Sequence, residues 1–203
     1  MKLYYAPGAC SMAPHIVALD VGQKLELVKV DIPNKKTEHG DDYWKINPKG
    51  YVPTLVLDNG EALTEVPAIC QYIADQHPEA ELISPFGGMQ RYQEMAALNF
   101  VSAEVHKQIG ALFNPTLTPE MRNVQIGAIS HRLKTLDKML AGRDYIMGDR
   151  YTAVDAYLIT VLNWTGYHKV DVSQWPNIQK YMSRMNGREN VRKAMIEEGL
   201  VKQ

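Results

Sequence analysis

The chain has 203 residues, 45% of them hydrophobic and 22% charged, with a formal net charge of −1. That length suffices for one large domain or two small ones that each bury a core, and the near-neutral balance gives no electrostatic reason to expect a nucleic acid or an anionic membrane as partner. No apolar run approaches the roughly 18 residues that a membrane span needs. The N-terminus lacks a basic region followed by an apolar stretch and a cleavage site. Only two cysteines occur, Cys10 and Cys70. Neither belongs to a CxxC pair, and no Cys/His cluster has zinc spacing, so a reducing cytoplasm and no bound metal are the expectation.

In chain order, Lys2–Tyr5 reads as a short strand that Pro7 and Gly8 break. A helix follows from about Ser11 to Val21, with Pro14 tolerable near its start and Gly22 stopping it. Leu25–Val30 alternates well enough for a second strand. The stretch from Asp31 to Asn47 is polar and turn-rich, with one short helix expected around Asp41–Lys45. Thr54–Leu57 reads as a strand, Asp58-Asn59-Gly60 as a hairpin turn, and Glu61–Leu63 as the returning strand. Glu65–Gln76 is helical, and His77-Pro78 ends the region. The order is β-α-β-α-β-β-α over residues 1–78. Residues 79–88, with Pro85, Gly87 and Gly88, look like a linker. Beyond it, residues 89–203 are wholly helical: one long amphipathic helix over Met89–Phe113, another over Pro119–Leu140, a third over Thr152–His168, and two shorter ones between Trp175 and Glu198. The fold class is therefore α/β followed by all-α, a small sheet domain and a larger helical bundle.

The cysteine at the first strand-to-helix junction is the leading chemical candidate. Free backbone N–H groups and the positive end of the helix dipole favour a thiolate at such a place, and the thiolate is the reactive form. A strand-cysteine-helix start in this element order suggests a thioredoxin-like domain. Such domains carry a cis-proline opposite the cysteine, and Gly50-Tyr51-Val52-Pro53-Thr54 sits in the corresponding place. A cis bond there turns the Val52 backbone so that it can pair with an extended peptide; alternatively, Pro53 merely opens a strand. Glu65 begins a helix with Pro67 in its first turn. Free N–H groups at that start can hold a carboxylate while Glu65 holds an ammonium, the two charges of an α-amino acid end; a plain acid complementing the dipole is the other reading.

Ala9-Cys10-Ser11, Asn47-Pro48-Lys49-Gly50, Val52-Pro53, Leu63-Thr64-Glu65 and the helical second half together resemble the cytosolic glutathione transferases. The cysteine, in place of a tyrosine or serine, resembles their bacterial beta class. Residues 98–107 look like that class's first long helix, and residues 148–157 like the family's helix-start motif. In the latter, Thr152 and Asp155 fit a capping box, a folding role. The resemblance runs over essentially the whole chain. It implies a glutathione site in which Cys10 meets the glutathione sulfur and Val52, before cis-Pro53, pairs with the cysteinyl unit. Glu65 and Val66 would hold the γ-glutamyl end, and Lys35 would reach the glycine carboxylate. Asn99, Ala103, Glu104 and His106 would complete the site, some from the partner subunit of a homodimer. Val66 departs from the serine that many members carry after the acid, which leaves only its N–H as an anchor.

Read on their own, Asn99, Ala103, His106, Gly110 and Phe113 are spaced to line one helical face, a poor core stripe and a better cleft wall. His106 is either a core histidine or a group facing Cys10, as a cation stabilising a thiolate or as a donor to sulfur. Trp164 and Tyr167, with Gly110 and Phe113, either line an apolar electrophile pocket or fill the helical core. Cys70 reads as a buried thiol. The resemblance implies an enzyme that takes glutathione as co-substrate, with no tightly bound cofactor, and joins its sulfur to a small hydrophobic electrophile. A cysteine at the site also favours mixed-disulfide chemistry with a disulfide partner. Met12 and Ala13 leave no resolving thiol, so glutathione itself must resolve the disulfide. A non-catalytic ligand carrier or interaction module of the same fold is the alternative, and loss of Cys10, Glu65 or His106 would have marked it.

Overall fold

A computed structural model describes residues 1–202. Its first unit is a five-stranded mixed sheet in the order β3-β2-β1-β4-β5. β1 (Lys2–Tyr5) lies at the centre, parallel to β2 (Glu26–Asp31) in register Leu3↔Leu27 and antiparallel to β4 (Thr54–Val56) in register Leu3↔Leu55. β5 (Ala62–Thr64) returns antiparallel to β4 through the Asp58-Asn59-Gly60 turn, where Gly60 takes φ 87°. The two-residue β3 (Lys36–Thr37) pairs antiparallel with β2. It is too short to show any alternation, so the sequence reading took this stretch as turn.

Helices α1 (Met12–Asp20) and α3 (Val66–Asp75) pack together, and α2 (Tyr43–Ile46) is a single turn capped by the Asp42 side chain, which accepts from Trp44 N–H. Leu3, Ile16, Leu55, Ile69 and Ile73 are fully buried in one core with residues of the helical unit. A smaller cluster around Tyr4, Val28 and Tyr43 forms a second one.

The helical unit begins with α4 (Met89–Phe100), which continues through a π-helical turn (Val101–His106), α5 (Lys107–Gly110) and a 3-10 turn (Ala111–Phe113). The sequence predicted one uninterrupted helix here; the chain is helical throughout, but its phase shifts at the π turn. α6 (Pro119–Met139) starts on a Thr118 cap. α7 (Ala153–Tyr167) is apolar on nearly all sides and runs through the middle, as an all-round hydrophobic helix must. α8 (Pro176–Asn186) and α9 (Glu189–Glu197) close the bundle. Thr152 and Asp155 form the expected capping box at the start of α7.

Residues 79–88 are less free than a linker. Pro78–Ala80 form a 3-10 turn, Leu82, Ile83 and Ser84 are buried, and the Leu82 carbonyl accepts from Ala153 N–H at 2.9 Å. The buried Glu94 carboxylate accepts from the Ser84 N–H (2.7 Å) and hydroxyl (2.9 Å) and from Arg150 (2.6 Å). Arg91 forks onto Asp75 at 2.6 and 2.8 Å, tying α4 to α3. Because α1 packs on α3, α7 and α9 together, the sheet unit and the bundle share one core.

Candidate active site

A cleft of about 680 Å³ opens where the sheet unit meets the α4–α5 rod and α7. Its walls include Cys10, Val52, Pro53, Glu65, Val66, His106 and Gly110, all expected from the sequence, and also Asn47, Lys49, Tyr51, Ser102, Lys107 and Tyr157.

Cys10 sits in the loop between β1 and α1, two residues before the helix. The loop is cinched by Ser11, whose hydroxyl contacts both the N–H (3.2 Å) and the carbonyl (3.3 Å) of Ala6. The Val52–Pro53 bond is cis, and the Cys10 thiol donates to the Val52 carbonyl at 3.3 Å. This geometry works against the expected thiolate, at a Cys10 that is half-buried. Burial pushes the Cys10 thiol up to about 12, with Glu65 adding to the rise; the Cys10 and Ser11 backbone N–H groups and Lys107 oppose it without prevailing. Cys10 precedes the first helical turn instead of sitting in it, and its nearest polar partner is an acceptor, which favours the protonated form.

His106 closes the opposite wall. Its Nδ1 lies 2.5 Å from the Tyr157 hydroxyl, and its ring meets Trp164 edge-on at 4.9 Å. Burial, helped by Lys107 and opposed by Glu65, lowers its pKa to about 4. The ring is therefore neutral near pH 7, and the cationic role open to it in the sequence falls away.

The third wall is the start of α3. Glu65 occupies φ 75°, ψ 122°, a sparsely populated region for a residue with a side chain. Its carboxylate is exposed and pairs with Lys49 Nζ at 2.6 Å; Lys49 also donates to Thr64 Oγ1 at 3.0 Å. Val66 follows with a free N–H of the helix start, and Pro67, next to it, has none to offer.

Several expected residues lie elsewhere. Lys35 donates to the Gly50 carbonyl at 2.7 Å and sits between the Trp44 and Tyr51 rings, behind the cleft wall. Asn99 and Ala103 are exposed, and Glu104 pairs with Arg132 on α6 at 2.6 Å. None of these four lines this chain's cleft. The π turn lies here: its i→i+5 pattern shifts the helical phase, and Ser102 joins the predicted His106 and Gly110 in the wall in place of Asn99 and Ala103. Trp164 is buried and donates from Nε1 to the Gly8 carbonyl at 2.8 Å. Phe113 and Tyr167 stack beyond it, both exposed, so the aromatic group runs outward from His106 beside the cleft.

Of the residues the sequence reading missed, Lys49 stood in a motif already noted, and Ser102 is four before His106. Tyr157 had no signal beyond one hydroxyl in an apolar helix. Among the described residues no cluster of His, Cys, Asp and Glu has the makings of a metal site, and no helix is long and apolar enough to cross a membrane.

A cysteine held against the residue before a cis-proline, on a thioredoxin-like sheet walled by a helical bundle, defines a class of thiol-handling folds. Residues 3–81 match the family model of the glutathione S-transferase N-terminal domain, and residues 100–189 that of the C-terminal domain. The chain is 40% identical to glutathione S-transferase GstA of Escherichia coli O157:H7, with 98% of this chain and all of that protein covered. Among solved structures, a beta class glutathione S-transferase of Sphingomonas chungbukensis superposes with a TM-score of 0.96 at 41% identity, over 99% of this chain and 100% of that one. A sphingomonad glutathione S-transferase complexed with glutathione gives a TM-score of 0.95 at 41% identity with the same coverage. The chain belongs to the glutathione S-transferase family, in its beta class, and is an enzyme of that type.

Proposed function

We propose that the cleft binds glutathione with its sulfur beside Cys10 and transfers that sulfur to a small hydrophobic electrophile. The observation that carries this reading is the pairing of Cys10 with the Val52 carbonyl, 3.3 Å away across the cis-Pro53 turn, in one cleft with the start of α3. An extended peptide laid along Val52 places its cysteinyl sulfur at Cys10. Its α-amino acid end then reaches Glu65, for the ammonium, and the Val66 N–H, for the carboxylate. Lys49 stands beside both and yields its Glu65 contact to the ligand. Lys35, behind the Tyr51 wall, is offered to the glycine carboxylate.

Asn99, Ala103 and Glu104 lie exposed or half-buried on the α4 rod, outside their own chain's cleft. We assign them to the homodimer, where they face the partner's glutathione. The electrophile docks on Gly110 and the outward aromatic group of Trp164, Phe113 and Tyr167. No resident cofactor enters this scheme, and the reducing cytoplasm supplies the glutathione.

In conjugation, a sulfur lone pair of glutathione forms the new S–C bond, the carbon–leaving group bond breaks with its electron pair, and the thiol proton leaves to solvent. Cys10, as a neutral thiol, donates a hydrogen bond to the glutathione thiolate, which avoids setting two thiolates together. His106, also neutral, faces the same sulfur. In exchange, the Cys10 thiol gives its proton to solvent and its sulfur attacks the glutathione sulfur of a mixed disulfide substrate: the Cys10–glutathione bond forms, the old S–S bond breaks, and the other thiolate leaves and takes up a proton. A second glutathione thiolate then attacks the mixed disulfide, releases Cys10 and forms oxidised glutathione.

Intact-protein mass after incubation with oxidised glutathione, on wild type, Cys10→Ala and Cys70→Ala, tests the reading together with turnover of an aryl halide. A glutathione adduct lost only in Cys10→Ala, with aryl halide turnover in wild type, is expected. Glutathione retention without turnover of any electrophile or disulfide would instead mark a non-catalytic carrier.

A further inference from the structure

We propose that Tyr157 is a positioning residue that fixes the tautomer of His106, so that the imidazole presents Nε2–H, and never a bare nitrogen, to the sulfur in the cleft. The inference rests on the reading of His106 as a wall of the sulfur site and assigns how that histidine is held.

The two rings meet edge to face with centroids 5.8 Å apart, and the Tyr157 oxygen stands 2.5 Å from Nδ1. Tyr157 comes from the middle of α7 and is 1% exposed. It has no solvent to bond with, so its hydroxyl proton must go to a protein acceptor. Imidazole nitrogen is a far stronger base than a phenol oxygen, and a phenol is a far stronger acid than an imidazole N–H. The short contact is therefore Tyr157 O–H donating to Nδ1. Burial keeps the phenol protonated, well above its usual range, and the nearby Ser102 only partly opposes this. Ser102 and His106 lie four residues apart on the rod, and both line the cleft with Tyr157.

With Nδ1 occupied as an acceptor, the one proton of the neutral ring resides on Nε2. A half-turn of the ring would put the carbon Cδ2 where Nδ1 meets the Tyr157 hydroxyl, so the same contact holds the ring's orientation. Its Cδ2–Nε2 edge lies against Gly110, where a Cβ would already come within 3.4 Å of Cδ2, and Trp164 packs on it at 4.9 Å. Gly110 lines the cleft beside His106, and Nε2, which has no protein partner among the described residues and is not among the sealed polar atoms, is open to it. His106 thus acts as a fixed donor to a glutathione thiolate and not as the base that takes the thiol proton.

The test is nitrogen-15 NMR of the ring of His106 in the full-length protein, combined with a double-mutant cycle on aryl halide conjugation. In wild type at pH 7 the Nδ1 resonance is expected at the unprotonated, acceptor position and Nε2 at the protonated one. In Tyr157→Phe, which keeps the ring's shape, both resonances move toward the average of two exchanging tautomers. kcat/KM falls about tenfold there, the scale of one lost hydrogen bond to a reacting group. In a His106→Gln background the amide donor has no tautomer to fix, so adding Tyr157→Phe costs less than about twofold. A protonated Nδ1 in wild type would overturn the proposal, and that spectrum needs no variant to fold. So would unchanged His106 resonances in Tyr157→Phe, or a tenfold loss persisting in the His106→Gln background. If His106→Phe leaves turnover untouched while the wild-type spectrum shows the Nε2–H tautomer, the tautomer assignment stands and the role of His106 at the sulfur fails.

Discussion

Two polar sites in this molecule are built on opposite terms. At the start of α7, Asp155 is sealed: its carboxylate accepts from Ile146 N–H (2.9 Å), Thr152 N–H (2.9 Å), the Thr152 hydroxyl (3.1 Å) and the Tyr181 hydroxyl (3.1 Å), with no cleft beside it. At the Cys10 cleft the polar groups are fewer, spread over three walls and left with capacity to spare. Glu65 is exposed and backbone-strained, the start of α3 lines open space, and Cys10 and His106 line the same cleft. A satisfied network fixes a fold and has nothing left to offer; an unsatisfied one costs stability and can be completed by a ligand. Both sites shift their ionisable groups by burial, so a shifted pKa alone does not distinguish them. Accessible space does.

The comparison breaks hardest at Asp155. Asp155→Ala strands four buried donors, and a loss of roughly 3–5 kcal/mol is expected, a drop in Tm of about 10 °C for a chain of this size. Thermal unfolding reads it, and the rate of Cys10 adduct formation per folded molecule should not move.

The two sites should also answer acid with opposite signs. Burial lowers His106 to about 4, so between pH 6.5 and 4 the unfolded chain binds more protons and this contribution is lost as pH falls. Burial raises Asp155 to about 6, so here the folded chain binds more protons, and the contribution grows as pH falls from about 6 to 4. Relative to His106→Phe, wild type should lose roughly 3 kcal/mol of stability between pH 7 and 4; relative to Asp155→Asn it should gain a similar amount. Urea unfolding of the three proteins across that range separates the terms, and parallel curves would refute both assignments.

A smaller effect concerns thiol reactivity. With Cys10 pushed up to about 12, its alkylation by iodoacetamide should still be accelerating past pH 9 in the unliganded enzyme. A plateau near pH 7 would mean a stabilised thiolate. The smallest effect is at Gly110, where an added Cβ lies 3.4 Å from His106 and 3.6 Å from Trp164. Gly110→Ala should change stability by less than about 1 kcal/mol, because the helix propensity gain offsets the crowding. Electrophile turnover should nonetheless fall severalfold as the added methyl narrows the cleft beside His106.

The division between what was and was not legible follows range. Pro7-Gly8 before Cys10, Gly22 after α1, the Asp58-Asn59-Gly60 turn, Pro67 inside α3 and the Thr152–Asp155 box are local signals, set by backbone preference within a few residues. They sufficed for nearly every element, for the cysteine at its junction and for the proline opposite it. The two-residue β3 escaped because it has no periodicity to read, and the buried turn at residues 79–84 because Pro and Gly punctuate a docked connection and a free one alike.

What the tertiary structure alone decided were phase, partnership and protonation. The π turn at Val101–His106 put Ser102 in the cleft wall in place of Asn99 and Ala103, because one extra residue per turn rotates a helical face. Tyr157 met His106 only through the packing of α7 against the rod. Burial, summed over residues far apart in the chain, pushes Cys10 and His106 toward their neutral forms, against the helix start that the local sequence displayed.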